Sequence, residues 1–569
     1  MTGHILPRSR VWLLVAGTTV LAMASGLLVW VAVGTGCDGT LRLSVSAAPD
    51  IAPAVRESAA EWVTGQPHVG GTCVAPRIST VDPARVAAAL NRDRGGDLDV
   101  AEVAAEGTDV PDVWIPDSSS WLTRVRTIDR QAFVGDVPSI AMSPVVLALP
   151  EPAARAEGWP AETIGWDHVL AGMKADPPLR FGIVEPRRSA VGLSGLLLTG
   201  KLAASAAKIS DRDAETAVLG TYRGLSLSRA ATTDELLGRL PRHASESEGR
   251  LGAALLSEHE VREYDASDPD VRLAAVYPEP AAPALDYPYA TVAGLSTAES
   301  EAAGQFHRWL LGRKSRRLVT GHGFRTPDGA TGPNFRTGDG VTPEPVPPPR
   351  SVTADDVTTA LGLWTELSMS SRVLAVLDVS PSMAEPVPTA KGLSRLEVTR
   401  RAAAAGLPLF TDDTQMGLWV FSTGLDGTKD HREVVPVADL QSNRKRLDHA
   451  LKRVDVVSGG GTGLFDTIGA AYRTMVDEYD PERSNTIVVM TDGRNQDPGG
   501  MSERELLGEL ARLSDPDRPV HLVVIGIGKD VDRHQMNAVT KATGGAVYLV
   551  PDPSKIGEIF LRALALPSR

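Results

Sequence analysis

The sequence predicts an α/β protein: an N-terminal transmembrane helix, a two-lobed first body and a doubly wound, mostly parallel second body. Three observations lead there. Residues 11–33 form an apolar run without a charged residue. A Pro/Gly-dense stretch, residues 329–352, divides the remainder of the chain. On both sides of it, apolar runs alternate with amphipathic stretches, the pattern of strands separated by helices. A chain of 569 residues is in any case too long for one core.

The apolar run is preceded by Arg8 and Arg10 and followed by Asp38. As a helix it would reach roughly 34 Å, enough to cross a hydrocarbon core of ~30 Å. The positive-inside rule then places residues 1–10 in the cytoplasm and the rest outside, as a single-pass protein of the cell membrane. The competing reading is a cleaved signal peptide ending near Ala22-Met23-Ala24. The apolar run continues well past those residues, which favours an uncleaved anchor at 11–33. Cys37 and Cys73 are the only cysteines. Lipid attachment at Cys37 would leave Cys73 as an odd exported thiol, so a Cys37–Cys73 disulfide is the simpler account. A zinc site needs more ligands.

Composition narrows the partners. A net charge of −13 with pI near 5.4 gives no basic footprint and argues against nucleic acid.

The first body, residues 38–328, carries strand-like runs at 40–48, 74–81, 112–116, 143–150 and 180–186 with helical patterns between them. The segments PDVWIPDSSSWL, SPVVLALPEPAARAEGWP, RFGIVEPRRSAVGLSGLLL and LDYPYATV, closing with HGFR, resemble bacterial extracellular solute-binding proteins of the type II periplasmic fold. That resemblance implies a ligand cleft between lobes, lined by hydroxyls and helix N-terminal N–H groups, an arrangement suited to an anion. The matching positions are Ser46, Ser118, Ser119, Ser120 and Ser189, with Ser143 a weaker match. The serines at 118–120 read equally well as a helix N-cap. Arg187 and Arg188 either pair with a ligand or are simply solvated.

Residues 329–352 have no apolar periodicity and read as a semi-stiff linker. The second body, residues 353–569, opens with a helix near 354–367. Apolar runs follow at 373–379, 416–422, 485–492, 519–528 and 546–550, separated by helical patterns. Such runs are strands of a sheet covered on both faces, and ligands bind such sheets at strand carboxyl ends where strand order reverses. The run RVLAVLDVSPSM ends there in Asp378, Ser380 and Ser382. SGGGTGLFD contributes Thr462, and TDG contributes Asp492.

Few carboxylates among several hydroxyls suit a hard dication, Mg²⁺ or Mn²⁺, with an open coordination position for a carboxylate of a partner. Asp378-x-Ser380-x-Ser382, Thr462 and Asp492 resemble the metal-ion-dependent adhesion site of von Willebrand factor A domains. The resemblance implies that these residues hold the ion directly or through water. Pro381 stands where Gly is common and removes no ligand oxygen. No nucleophile elbow, zinc motif or phosphate loop is present, so the sequence does not ask for catalysis. The expected function is adhesion: an Asp or Glu of a protein partner engages the bound metal. The alternative is a small-molecule receptor or transporter-linked sensor, possible anion included, that uses the cleft with the second body as scaffold.

Overall fold

The computed structural model describes residues 37–550, except 97, 101–106, 163, 174–178, 207–210, 244–245, 247–249, 278, 333–334, 336–340, 348–351, 388–391 and 528–530. In the first lobe, β1 (Thr40–Ala47) lies parallel to β3 (Thr72–Thr80) and β4 (Val113–Ile115). The short strands β2 (His68–Val69) and β10 (Ala290–Thr291) close the edges antiparallel. The second lobe orders its strands β7 (Arg229–Ala230), β6 (Phe181–Val184), β8 (Ala253–Ser257), β5 (Val145–Pro150) and β9 (Leu273–Val276). Every residue of β5, β6 and β8 is buried, as unbroken apolar runs require. Cys37 is bonded to Cys73, tying the segment before β1 to β3.

The Pro-rich segment differs from a free spacer. Phe335 and Val341 join the second lobe's core. Arg325 is fully buried, pairs with Glu258 at 2.7 Å and donates to the carbonyls of Gly329, Thr342 and Glu344. A buried guanidinium must satisfy its donors, and this one does so by strapping the segment to the lobe.

The helix Ala354–Ser368, grouped above with the second body, packs on the first. Val357, Ala360, Trp364 and Leu367 are part of the first body's core, and the Trp364 indole donates to Glu185 Oε1 at 2.8 Å. Arg223 and Arg229 donate to the carbonyls of Leu367 and Ser368, capping its C-terminal end. Only two residues separate this helix from the first strand of the second body, β11 (Ser371–Asp378).

The second body has one sheet, ordered β13-β12-β11-β14-β15-β16, comprising β11 (Ser371–Asp378), β12 (Gln415–Asp426), β13 (Lys429–Asp439), β14 (Ser484–Thr491), β15 (Val520–Ile527) and β16 (Ala546–Val550). All its pairs are parallel except β12–β13. One core cluster covers each face: Val373 and Leu377 pack to one side, Leu374 and Val376 to the other. The edge strand β13 escaped the sequence reading because half-exposed edges carry polar residues, here with Pro436 among them.

One expectation is corrected. Among the described residues, no helix is long and apolar enough to cross a membrane. The expected span, residues 11–33, lies outside the described residues, so the placement as a single-pass cell-membrane protein has no support.

Candidate metal centre and inter-lobe cleft

In the second sheet, β11 proceeds to β12 and β13 on one side, while β14, β15 and β16 build the other. The strand order therefore reverses between β11 and β14, whose carboxyl ends open a crevice. Asp378 ends β11, and Asp492 follows Thr491 at the end of β14. Ser380 precedes a short 3₁₀ turn, Pro381–Ala384, with Pro381 in its first position. Pro tolerates that position because its missing N–H would have no partner there. Thr462 arrives from a glycine loop. Gly460 has φ +95°, and a Cβ there would sit 2.8 Å from the Thr423 carbonyl oxygen, so the loop needs glycine.

These five residues converge. The Ser380 and Ser382 hydroxyls lie 3.1 Å apart, and Ser382 Oγ donates to Asp492 Oδ1 at 2.8 Å. Thr462 Oγ1 donates to Ser380 Oγ at 3.5 Å. Asp378 Oδ1 accepts from the Ser380 N–H at 2.9 Å, and Asp378 Oδ2 from the Thr491 hydroxyl at 2.6 Å. Asp378, Ser380, Thr462 and Asp492 are buried and Ser382 is half-buried. Burial pushes Asp378 up to about 6, with Asp492 adding to the rise and the bonds from Ser380 and Thr491 opposing it. Two buried carboxylates gathered with three hydroxyls form a hard-oxygen set that fits a divalent cation.

Sequence reasoning missed three contributors. Thr491 orients Asp378. Arg395, the first residue of the helix Arg395–Gly406, donates to Asp492 Oδ2 at 2.7 Å and pairs with Glu385 at 2.9 Å. Beside Gly463, the carboxylates of Asp430, Asp466 and Asp497 lie within 4.8 Å of one another. Asp430, Asp466 and Asp497 come from separate elements, so no local motif announces them. Arg395 did leave a signal, being a cation at a helix N-terminus, where the dipole favours anions.

Between the lobes lies a cavity of about 230 Å³ at the carboxyl ends of β1, β3 and β4 on one side and β6, β7 and β8 on the other. Its ionisable lining is Asp50, Asp82, Asp117, Arg188 and Glu260. Asp50 accepts from the Ile51 N–H at 2.8 Å and from the Tyr287 hydroxyl. Asp82 caps the helix Pro83–Asp93 through the Ala84 N–H. Asp117 Oδ1 accepts from the Trp121 indole at 2.8 Å. Glu260 accepts from Thr233 Oγ1 at 2.8 Å and the Ser257 N–H at 2.7 Å. Arg188 stands 3.9 Å from Asp82. Desolvation raises Asp50 to about 6, lifts Asp117 well above the carboxylate range, and raises Glu260. The negative charge of Asp50 pushes Asp117 further in the same direction.

Of the serines expected in the cleft, only Ser189 lines this cavity, and its hydroxyl accepts from the Gly192 N–H at 3.1 Å. Ser46 pairs with Ser79 at 3.0 Å. Ser118 accepts from the Ser120 N–H at 3.1 Å as a helix cap, and exposed Ser119 donates its N–H to Asp286. Buried Ser143 accepts from the His259 N–H. The capping alternative therefore describes residues 118–120: a hydroxyl next to free N–H groups satisfies them first. Arg187 turns to Glu185 and Asp99 and is absent from the cavity lining.

Comparison with known proteins follows the same division. Residues 43–325 match the family model described as bacterial extracellular solute-binding protein, and residues 373–562 the model described as von Willebrand factor type A domain. An uncharacterized protein of Mycobacterium tuberculosis is 26% identical over 589 residues, covering 96% of this chain and 82% of that one. An extracellular solute-binding protein structure from Bordetella parapertussis is 14% identical with a TM-score of 0.39, covering 57% of this chain and 97% of that one. A von Willebrand factor type A structure from Catenulispora acidiphila is 21% identical with a TM-score of 0.28, and the match spans 34% of this chain and 42% of that one. The chain carries a solute-binding domain followed by a von Willebrand A domain.

Proposed function

We propose that this protein acts by binding rather than catalysis, through a divalent metal centre that engages a carboxylate on a protein partner. Asp378, Ser380, Ser382, Thr462 and Asp492 would hold Mg²⁺ or Mn²⁺, which supplies a Lewis-acidic position for an Asp or Glu of the partner. The observation that carries this reading is the meeting of two buried carboxylates and three hydroxyls at one crevice. Calorimetric titration of Mg²⁺ and Mn²⁺ into the protein tests it, beside Asp378→Ala. Saturable binding lost in the variant is expected. An absence of binding in the unaltered protein would end this reading.

A second reading, solute binding in the cleft, is favoured by the cavity and changes the expected solute. The N–H groups of Ile51, Ala84 and Ser257, which would hold an anion, are already engaged by Asp50, Asp82 and Glu260. Four carboxylates face one guanidinium, and burial has raised three of them. A compact organic cation relieves that repulsion, whereas an oxyanion adds to it. Parallel titrations with putrescine and with sulfate separate the two. Saturable sulfate binding without putrescine binding would return the cleft to anions.

A further inference from the structure

Arg395 violates a local rule at the most informative place in the second body. It is the first residue of a helix, just past the Ser394 cap, where a positive charge opposes the dipole. Local violations of this kind are expected at functional positions. The side chain is only 15% exposed and bridges two carboxylates of different character. Its Nη1 donates to Asp492 Oδ2 at 2.7 Å, on a carboxylate that is fully buried. Its Nη2 pairs at 2.9 Å with Glu385, whose side chain is 60% exposed. The backbone holds the same pair together, since the Arg395 N–H donates to the Glu385 carbonyl at 2.9 Å.

We propose that Arg395 is a tethered counter-cation of the metal centre. It neutralises Asp492 in the metal-free protein and competes with the dication for that carboxylate. The inference rests on the metal-binding reading above and adds a regulating residue to it. Asp378 and Asp492 are two buried negative charges at one crevice, and such charges persist only when compensated. Arg395 provides that compensation while leaving Asp492 Oδ1 to Ser382 and the hydroxyl array intact. An arriving dication meets a positive charge already seated on one of its ligands, so the two repel.

Glu385 offers the guanidinium a second resting place at the rim, because that contact is made already and needs no backbone movement. Metal entry therefore shifts Arg395 from Asp492 toward Glu385. Held by Glu385 at the rim, the guanidinium would add to the attraction for an incoming carboxylate.

The test is calorimetric titration of Mg²⁺, with Mn²⁺ counted by electron paramagnetic resonance, on the full protein and on Arg395→Met, Glu385→Gln and Asp378→Ala. Arg395→Met is expected to bind metal about tenfold or more tightly, since its competitor is gone. Glu385→Gln, a surface change that leaves the fold intact, is expected to weaken metal binding severalfold by removing the guanidinium's alternative partner. Weaker or unchanged metal affinity in Arg395→Met would show a positioning or passive role and overturn the proposal. So would unchanged affinity in Glu385→Gln, which decides the matter if Arg395→Met fails to fold. Metal binding absent from the unaltered protein would instead strike the underlying reading, and binding that survives in Asp378→Ala would place the ion elsewhere.

Discussion

At the crevice between β11 and β14, two buried carboxylates share three hydroxyls and the guanidinium of Arg395. In the inter-lobe cleft, Asp50, Asp82, Asp117 and Glu260 face Arg188 as the one lining cation among the described residues, and the donors they accept from are mostly backbone N–H groups and neutral side chains. Both sites lie at strand carboxyl ends, and both raise a carboxylate to about 6 by burial. They differ in how the negative charge is balanced. The crevice sets two carboxylates against one guanidinium and is rich in small hard oxygens, so it suits a dication that completes its shell with water and a partner. The cleft is left strongly negative over a wider space, which suits a larger cation with several contacts. Charge balance, more than the presence of carboxylates, separates the two kinds of ligand.

The largest effect tests the crevice. Asp378→Ala should abolish saturable Mg²⁺ binding while putrescine binding in the cleft is retained, as calorimetry on both ligands would show. Loss of both would mean that the two sites are coupled and the comparison is drawn too sharply. Next comes Asp117→Asn. Removing a carboxyl that the charge of Asp50 opposes should stabilise the free protein in denaturant titrations. The same change should weaken putrescine binding at least tenfold. A variant with lower stability and unaltered amine affinity would remove Asp117 from the cleft's function.

A pH titration sharpens the contrast further. Asp50 is raised from 3.8 to about 6 in the folded state. A carboxyl raised by folding binds its proton more tightly when folded. Its contribution to stability is therefore complete below pH ~4 and is lost as pH rises through ~6, amounting to ~3 kcal/mol at most. Amine affinity should move oppositely and strengthen across pH 5–7 as Asp50 ionises. Flat amine affinity over that window would exclude Asp50 from recognition. The smallest effect belongs to Ser119→Ala, an exposed position whose N–H bond to Asp286 is kept while its hydroxyl bond to the same carboxylate is lost. Stability should fall by no more than ~1 kcal/mol, and calorimetry should find ligand binding unchanged.

The crevice was legible because its parts are short local patterns at strand ends. An apolar run that stops in Asp378-x-Ser380-x-Ser382, a glycine loop bearing Thr462 and a strand leaving through Asp492 each mark a strand-to-loop exit, and a doubly wound sheet brings such exits to one edge. The cleft was not legible. Asp82 before Pro83 reads as a helix cap, and is one, while Asp50, Asp117 and Glu260 each read as ordinary turn or helix-start residues. Their common meaning appears only when lobes formed from distant segments close around one cavity. The serines misled because hydroxyl-rich stretches next to helices satisfy local N–H groups first.

The sequence by itself determined the strands of the second sheet other than β13, their burial on two faces and the order in which the metal ligands appear, since periodicity and strand-end chemistry are properties of neighbouring residues. Tertiary structure alone decided that Arg325 straps the Pro-rich segment to the second lobe, and that the helix carrying Trp364 serves the first body's core. It also decided that Arg395 sits on Asp492 and that four carboxylates share a cavity. An amphipathic pattern states that a face must be covered but not by what. A charged residue likewise states that it needs a partner, and only packing chooses which one.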